Sequence, residues 1–273
     1  MNACSSKFVA PDWTNGEIYA YTEKFSCRQW AWEFLRRNTA FRVAWNAAQS
    51  DYGIAGYDGS TPMIVSQHDT PCLAAWGCLY CSSPDQNAST AVVFWSPDIC
   101  AHVLKLHGFP LSAKLEATPF FLRDIACSST LLETPSPPQH LLFLEGGRSL
   151  QLAVEGSDVM KPARLMIGGA PHKALAGAQL RALQCFNDLR LSGRLYDSHF
   201  QRDLISPRMR HVLRMLDGAL SGASQKQIAE KILGGTYTRE HWNAPGRPVR
   251  DHVRRAIRRG YALMKGGYRK LLS

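Results

Sequence analysis

The sequence predicts an α+β chain of several domains: a mixed N-terminal and middle region with short strands, followed by an all-α C-terminal domain of helix-turn-helix type. Three observations predict it. Apolar residues recur at helical spacing in 1–50 and again after 171, whereas 51–94 and 141–167 carry short apolar runs broken by Gly, Ser, Pro and Asp. With 45% hydrophobic and 20% charged residues, the 273-residue chain has the means to bury a core and the length for more than one domain. The net charge of +10 is also uneven. Between Arg202 and Lys270 lie 16 of the 32 Lys and Arg against five acids, a balance of +11, which leaves −1 for everything before. The expected division is 1–110 (a helical and mixed regulatory domain), 111–171 (a small segment containing a β-hairpin) and 172–273 (a basic domain).

The elements follow in chain order. Pro11-Asp12-Trp13 starts the ordered chain, and Glu17–Lys24 is expected to form a short helix. Ser26 then caps a longer helix through Asn38, with Gln29 in the capping-box position and Trp30, Phe34 and Phe41, with Leu35 and Ala31 beside them, at helical spacing. The seven tryptophans suit a packed aromatic core better than a base-stacking platform, since no exposed sheet motif frames them. Met63-Ile64-Val65 and Ala91–Trp95 read as strands. Ser96-Pro97-Asp98 predicts a helix through Leu106, with Ser as cap and Pro at the first helical position. Pro135–Pro138 reads as a linker, Leu141–Val154 as two strands around Gly146-Gly147, and Ala163–Ile167 as a third strand.

After Pro171 the text is helical. Leu175–Leu191 is expected to turn Leu180, Leu183 and Phe186 inward, and a helix opened by Ser206-Pro207 sets Met209, Val212, Leu213, Leu216 and Leu220 on one face. Ser224 and Gln227 make a capping box for Gln225–Gly234, with Gly234 and Gly235 as its stop. Arg247-Pro248 opens the last long helix. Along it Val249, Val253, Ala256, Ile257, Gly260 and Met264 form an apolar stripe, and Arg247, Arg250, Arg254 and Arg258 a basic one, which Arg255 and Arg259 widen. A DNA-reading helix needs this division, because one face docks on the domain while the other offers guanidiniums to phosphates and guanine edges. The planar fork of Arg suits that better than the ammonium of Lys.

The expected DNA-contacting set is therefore Arg250, Arg254, Arg255, Arg258 and Arg259, helped by Gln225, Lys226 and Arg247. Between the two helices lies a long connection, Gly234 to Gly246, in which Trp242 is expected to pack and Arg239 to meet the DNA backbone. Arg269 and Lys270 add phosphate contacts from the tail. The competing reading of the basic helix is an amphipathic segment for a membrane surface or an acidic protein.

Other chemistry finds less support. His68, Cys72, Cys78 and Cys81 include one ligand-like spacing, but the set is irregular and its surroundings apolar, so buried thiols are expected and no metal or other cofactor. The chain has no phosphate-cradling loop, since the stretch from Gly168 to Lys173 has the wrong spacing, and no nucleophile elbow or His-Glu-x-x-His. An enzyme is not expected. No run approaches the ~18 apolar residues of a membrane span. No leader is read at Met1–Pro11, and eight cysteines without dense spacing suit a reducing cytoplasm.

Ser221–Leu233, Trp242, Val253–Met264 and Gly266–Leu272 together resemble a domain from proteobacterial integrative and conjugative elements. Pro11-Asp12-Trp13, Tyr19 and Gln29–Asn38 resemble its companion domain. The combination is similar to the FseA-type transcriptional activators, which switch on the excisionase gene of such an element. That resemblance implies a role in excision and transfer and an antiactivator protein as partner. The expected function is sequence-specific activation from double-stranded promoter DNA, with RNA polymerase as a further partner for the N-terminal portion. The alternatives are a protein-binding regulator that occupies another activator, or an architectural accessory factor in excision.

Overall fold

A computed structural model describes residues 8–58, 61–69, 72–111, 118–167, 176–200 and 206–273. Its α+β architecture combines a mixed sheet in the N-terminal and middle region with helices at the C-terminus. The chain groups into two compact units: Met1–Arg42 with Arg202–Leu271, and Val43–Gln201 with Leu272–Ser273. The first boundary falls inside the helix Thr39–Ala47. This grouping differs from the three-part division expected from sequence, because strands from before and after position 110 share one sheet. The expected domain start near 172 lies outside the described residues.

The larger unit is built on seven strands: β1 (Tyr52–Asp58), β2 (Thr61–Ser66), β5 (Val103–Pro110), β6 (Ser128–Glu133), β7 (Gln139–Glu145), β8 (Arg148–Glu155) and β9 (Ala163–Ile167), in the order β1-β2-β6-β7-β8-β5-β9. β2 with β6 and β5 with β8 run parallel, and the other neighbours antiparallel. A separate ladder pairs β3 (Cys78–Cys81) with β4 (Val93–Trp95). The β7–β8 hairpin is the one the Gly-Gly turn predicts. Gly146 and Gly147 take φ of 55° and 81°, as a tight hairpin turn demands of both central residues. Strand alternation then sorts the side chains. Leu141, Phe143, Leu150, Leu152 and Val154 pack with Ala182, Cys185, Phe186 and Leu189 of the helix Ala176–Ser192, whereas Ile64, Leu132 and Leu142 pack with Phe94 of β4.

Two expectations fail in this unit. Residues 103–106 are not helical: the backbone carbonyl of Ser96 accepts from the N–H of Ile99 and Cys100 and its hydroxyl from that of Asp98 in a single turn, and the chain then extends as β5 between β8 and β9. A local cap gives way here to a vacant slot between two strands, which supplies ladder bonds on both edges. Leu180 is 56% exposed rather than inward, because the sheet takes the stripe through Ala182, Cys185, Phe186 and Leu189.

The smaller unit holds α1 (Cys27–Leu35), α4 (Ser206–Leu220), α5 (Gln225–Ile232), α6 (Gly235–His241) and α7 (Pro248–Met264); the helices Thr39–Ala47 and Ala176–Ser192 take the labels α2 and α3. The expected short helix near 17–24 is a 3-10 turn, Glu17–Thr22. Both expected capping boxes, Ser26 with Gln29 and Ser224 with Gln227, are formed. α7 packs on α4, α5 and α1. It comes close to α4 at Gly260, where a Cβ would stand 2.9 Å from that of Leu216.

A buried ionic cluster ties the N-terminal residues of this unit to its C-terminal helices. The Arg37 guanidinium donates to both carboxylate oxygens of Asp217 on α4, at 2.6 and 2.8 Å, and to the backbone and side-chain oxygens of Glu33, each at 2.6 Å. Tyr19 Oη donates to Asp217 Oδ2 at 2.7 Å, and Arg36 Nε to Glu33 Oε2 at 2.8 Å. The side chains of Arg37, Glu33 and Asp217 have no exposed surface. Burial alone would lower the pKa of Arg37, but the carboxylates of Asp217 and Glu33 outweigh it and hold the guanidinium charged. Asn38 Nδ2 meanwhile donates to the carbonyl of Met264, satisfying an acceptor in the last turn of α7.

Candidate nucleic-acid interface

α7 is two-sided as its sequence demands. Val249, Val253, Ala256, Gly260 and Met264 are buried and Ile257 half-buried, while Arg250, Arg254, Arg255, Arg258 and Arg259 are all exposed. Arg250, Arg254 and Arg258 recur every fourth residue, so about 100° per residue places them along one slowly turning ridge. Arg247 stands just ahead as the N-cap and is exposed. Its φ of 48° and ψ of 46° are left-handed, a conformation unfavourable for a residue with a Cβ, and Pro248 occupies the first helical turn as expected.

The basic residues of α7 are not equivalent. Arg254 Nη2 lies 3.1 Å from Asp251 Oδ1 in an exposed pair one turn apart, which a phosphate can displace at small cost. Arg259 Nη2 leans onto α4, 3.9 Å from Met209 Sδ. Among the described residues Arg247, Arg250, Arg255 and Arg258 form no ion pair.

Gln225 and Lys226 are exposed in the first turn of α5, which packs on α7. The connection expected between the two helices is not irregular. Gly234, at φ 103°, ends the reach of α5, and Gly235 begins α6 instead of serving as part of a stop. Arg239 is exposed on α6, Trp242 is half-buried at its end, and Tyr237 stacks on His241 with ring centroids 4.5 Å apart. Arg239 among them carries the expected exposed charge. Arg269 and Lys270 are exposed on the 3-10 turn Gly267–Leu271, behind the buried Tyr268.

Sequence counting gave every C-terminal cation the same weight, and the structure separates them. Arg214 donates to the carbonyls of Trp13 and Thr14, and Arg210 Nε to Thr22 Oγ1, so both guanidiniums fasten the N-terminal segment to α4. Two histidines that sequence reading passed over also meet here. His211 of α4 and His252 of α7 bring their Nε2 atoms to 3.1 Å, and burial, then His252 and Arg214, lower the pKa of His211. One ring donating its N–H to the other ring's nitrogen accounts for that contact. Neither residue had a sequence signal, since they lie 41 positions apart.

The suggested cysteine set is not assembled into a metal-holding group: among the described residues no three or more His, Cys, Asp or Glu gather for one. Cys72 Sγ contacts Asp51 Oδ2 at 2.7 Å at the surface, while Cys78 and Cys81 are buried on β3. No helix of the described residues is long and apolar enough to cross a membrane.

Known protein families place this geometry in a class. Residues 148–273 match the DNA-binding domain of the RovC-type T6SS transcription factor, and residues 12–79 match a proteobacterial transcriptional regulator-like domain. Together the two matches support a DNA-binding transcriptional regulator. No curated protein matches the chain. Each matched segment contributes to both compact units: 12–79 supplies α1 and also β1, β2 and the first half of β3, and 148–273 supplies β8, β9 and α3 as well as α4–α7.

Proposed function

We propose that the chain is a sequence-specific activator that reads double-stranded promoter DNA with α7, in a helix-turn-helix formed by α4, α5 and α7 and widened by the insertion of α6. The observation that carries this reading is the division of α7 between a buried apolar stripe and an exposed arginine ridge. Arg250, Arg254 and Arg258 face the major groove. Arg255, Arg259 and Arg247 flank them, and bidentate pairing with guanine O6 and N7 is the strongest specific contact such a side chain makes. Gln225 and Lys226 contact the backbone from the start of α5, where exposed N–H groups and the positive helix end favour phosphate. Arg239, Arg269 and Lys270 add phosphate contacts that position the domain without reading sequence.

The likeness of both ends to FseA-type activators supports the excision and transfer genes of an integrative and conjugative element as targets. It also supports RNA polymerase and an antiactivator protein as partners. The test is a gel-shift titration of the full chain on promoter fragments from its genomic neighbourhood, with excess non-specific competitor and at several salt concentrations. Tight, competitor-resistant binding is expected, and the variant R250A/R254A/R258A should lose it. Equal binding by the two proteins would remove α7 from the interface. Binding without stimulation of transcription in a reconstituted assay would instead favour an architectural factor.

A further inference from the structure

α6 is not explained by core packing. Of its seven residues only Thr238 is buried, while Gly235, Thr236, Tyr237, Arg239 and Glu240 are exposed and His241 is half-buried. A helix this short gains little stability from its own backbone bonds. Only Leu233 and Gly234 separate it from α5, a short Gly-containing joint of the kind that delivers a second helix to the major groove. Arg239 and Glu240 cancel in charge, so beyond one guanidinium α6 has little with which to follow a phosphate backbone. What it holds outward is a pair of rings.

Tyr237 is 50% exposed and stacks on His241 one turn later, with ring centroids 4.5 Å apart and planes inclined by 27°. His241 Nδ1 lies 2.9 Å from the carbonyl oxygen of Tyr237. A carbonyl oxygen has no proton to give, so Nδ1 is the donor, and in the neutral ring Nε2 keeps its lone pair as an acceptor. Among the described residues nothing bonds to Nε2. The stack and the hydrogen bond thus set the plane and the tautomer of the imidazole before any ligand arrives. Two turn bonds, from the N–H of Ala244 to the carbonyl of His241 and from that of Arg247 to the carbonyl of Ala244, keep the rings within two turns of Arg247. Arg247 is the exposed, left-handed residue at the head of the arginine ridge, and strain of that kind persists where a side chain is held for a purpose.

We propose that His241 is a specificity-determining residue whose Nε2 accepts a hydrogen bond from the exocyclic amino group of an adenine or cytosine in the major groove, with Tyr237 as the positioning residue that holds its ring. The inference rests on the DNA-reading role proposed for α7 and adds to it a contact from a second helix. In the major groove adenine N6 and cytosine N4 are donors, whereas guanine O6 and N7 and thymine O4 are acceptors. A ring nitrogen that accepts therefore admits adenine or cytosine at one position of one strand and rejects guanine and thymine. The arginines of the ridge do the reverse, since a guanidinium only donates and takes guanine. The two helices read bases of opposite hydrogen-bonding character.

Selection of bound sequences from a randomised double-stranded DNA library by the full chain tests the proposal. The wild-type selection is expected to contain guanine positions read by the ridge and one position restricted to adenine or cytosine. H241A should keep the guanines, lose that restriction and bind the selected site roughly tenfold or more weakly. Y237F retains the stack and should retain the restriction, whereas Y237A should relax it. H241K puts a donor where the acceptor stood and should move the preference toward guanine or thymine, a switch that no loss of structure imitates. Neither side chain is buried, so each variant should melt with the wild type by circular dichroism. An unchanged restriction in H241A, or adenine and cytosine still selected by H241K, would overturn the inference and leave the role of α7 intact. A wild type without sequence preference would overturn both.

Discussion

Replacing Asp217 with Ala should strongly destabilise the helical unit through a residue that sits far in sequence from Arg37. In the native protein Arg37 and Asp217 are joined by two hydrogen bonds of 2.6 and 2.8 Å with both side chains fully buried, and Tyr19 donates to the same carboxylate. Removing the carboxylate leaves a guanidinium without its bidentate partner in a medium that solvates it poorly. Breaking one side of such a pair costs about 3–5 kcal/mol. Set against the ~5–15 kcal/mol that holds a typical domain together, this takes a large part of the total and changes the folded-to-unfolded ratio by ~100-fold or more. The assay is urea denaturation of the full chain together with hydrogen exchange of the peptides covering α4 and α7. Both should lose protection in D217A, whereas β6–β8 should be little affected. The pair R37M/D217L, which replaces the charges with packed apolar groups, should recover most of the loss. If D217A lies within ~1 kcal/mol of wild type, or if the double variant is as unstable as the summed single changes, the cluster is not what closes the unit. The same reasoning predicts that residues 172–273 alone fail to fold, since they bury Asp217 without Arg37.

Other consequences can be checked separately. His140 has its pKa moved from 6.5 to about 4 by burial, so folding favours its neutral form. Stability is full above the unfolded value and falls as pH drops from about 6.5 toward 4, by roughly 3 kcal/mol in all. Denaturation midpoints of H140L should lack that part of the acid dependence, and a wild-type slope in the variant would contradict the assignment. Arg247 is held at φ 48°, so R247G should stabilise the chain by about 1 kcal/mol while weakening promoter binding; melting temperature and gel shift read the two effects apart. G260A should cost ~1–3 kcal/mol, measured by urea titration, because its Cβ would stand 2.9 Å from that of Leu216 on α4. R254A should weaken specific DNA binding by ~1–3 kcal/mol if it contacts a base. A loss uniform across sequences, with the salt slope reduced by about one, would assign it to phosphate instead.

By itself the sequence determined the parts of the molecule whose causes are local. The two capping boxes join Ser26 to Gln29 and Ser224 to Gln227, three residues apart, and the β7–β8 turn needs only Gly146 and Gly147. The two faces of α7 follow from a 3.6-residue period acting on one stretch of text, so the exposed ridge of the candidate interface was legible without coordinates. Only the tertiary structure decided what depends on a distant partner. Residues 103–106 became strand because β8 and β9 offered bonds on both sides, against the helix that Ser96-Pro97 predicted. α6 appeared where a loop was expected, its interior Thr238 buried in a seven-residue helix too short to announce itself by periodicity. Arg210 and Arg214 left the pool of available cations because Thr22, Trp13 and Thr14 claim them across some 190 to 200 positions. The N-terminal helix joined the C-terminal helices for the same reason: a buried charge must find its counter-ion wherever the chain supplies one, and Asp217 finds Arg37, 180 residues away.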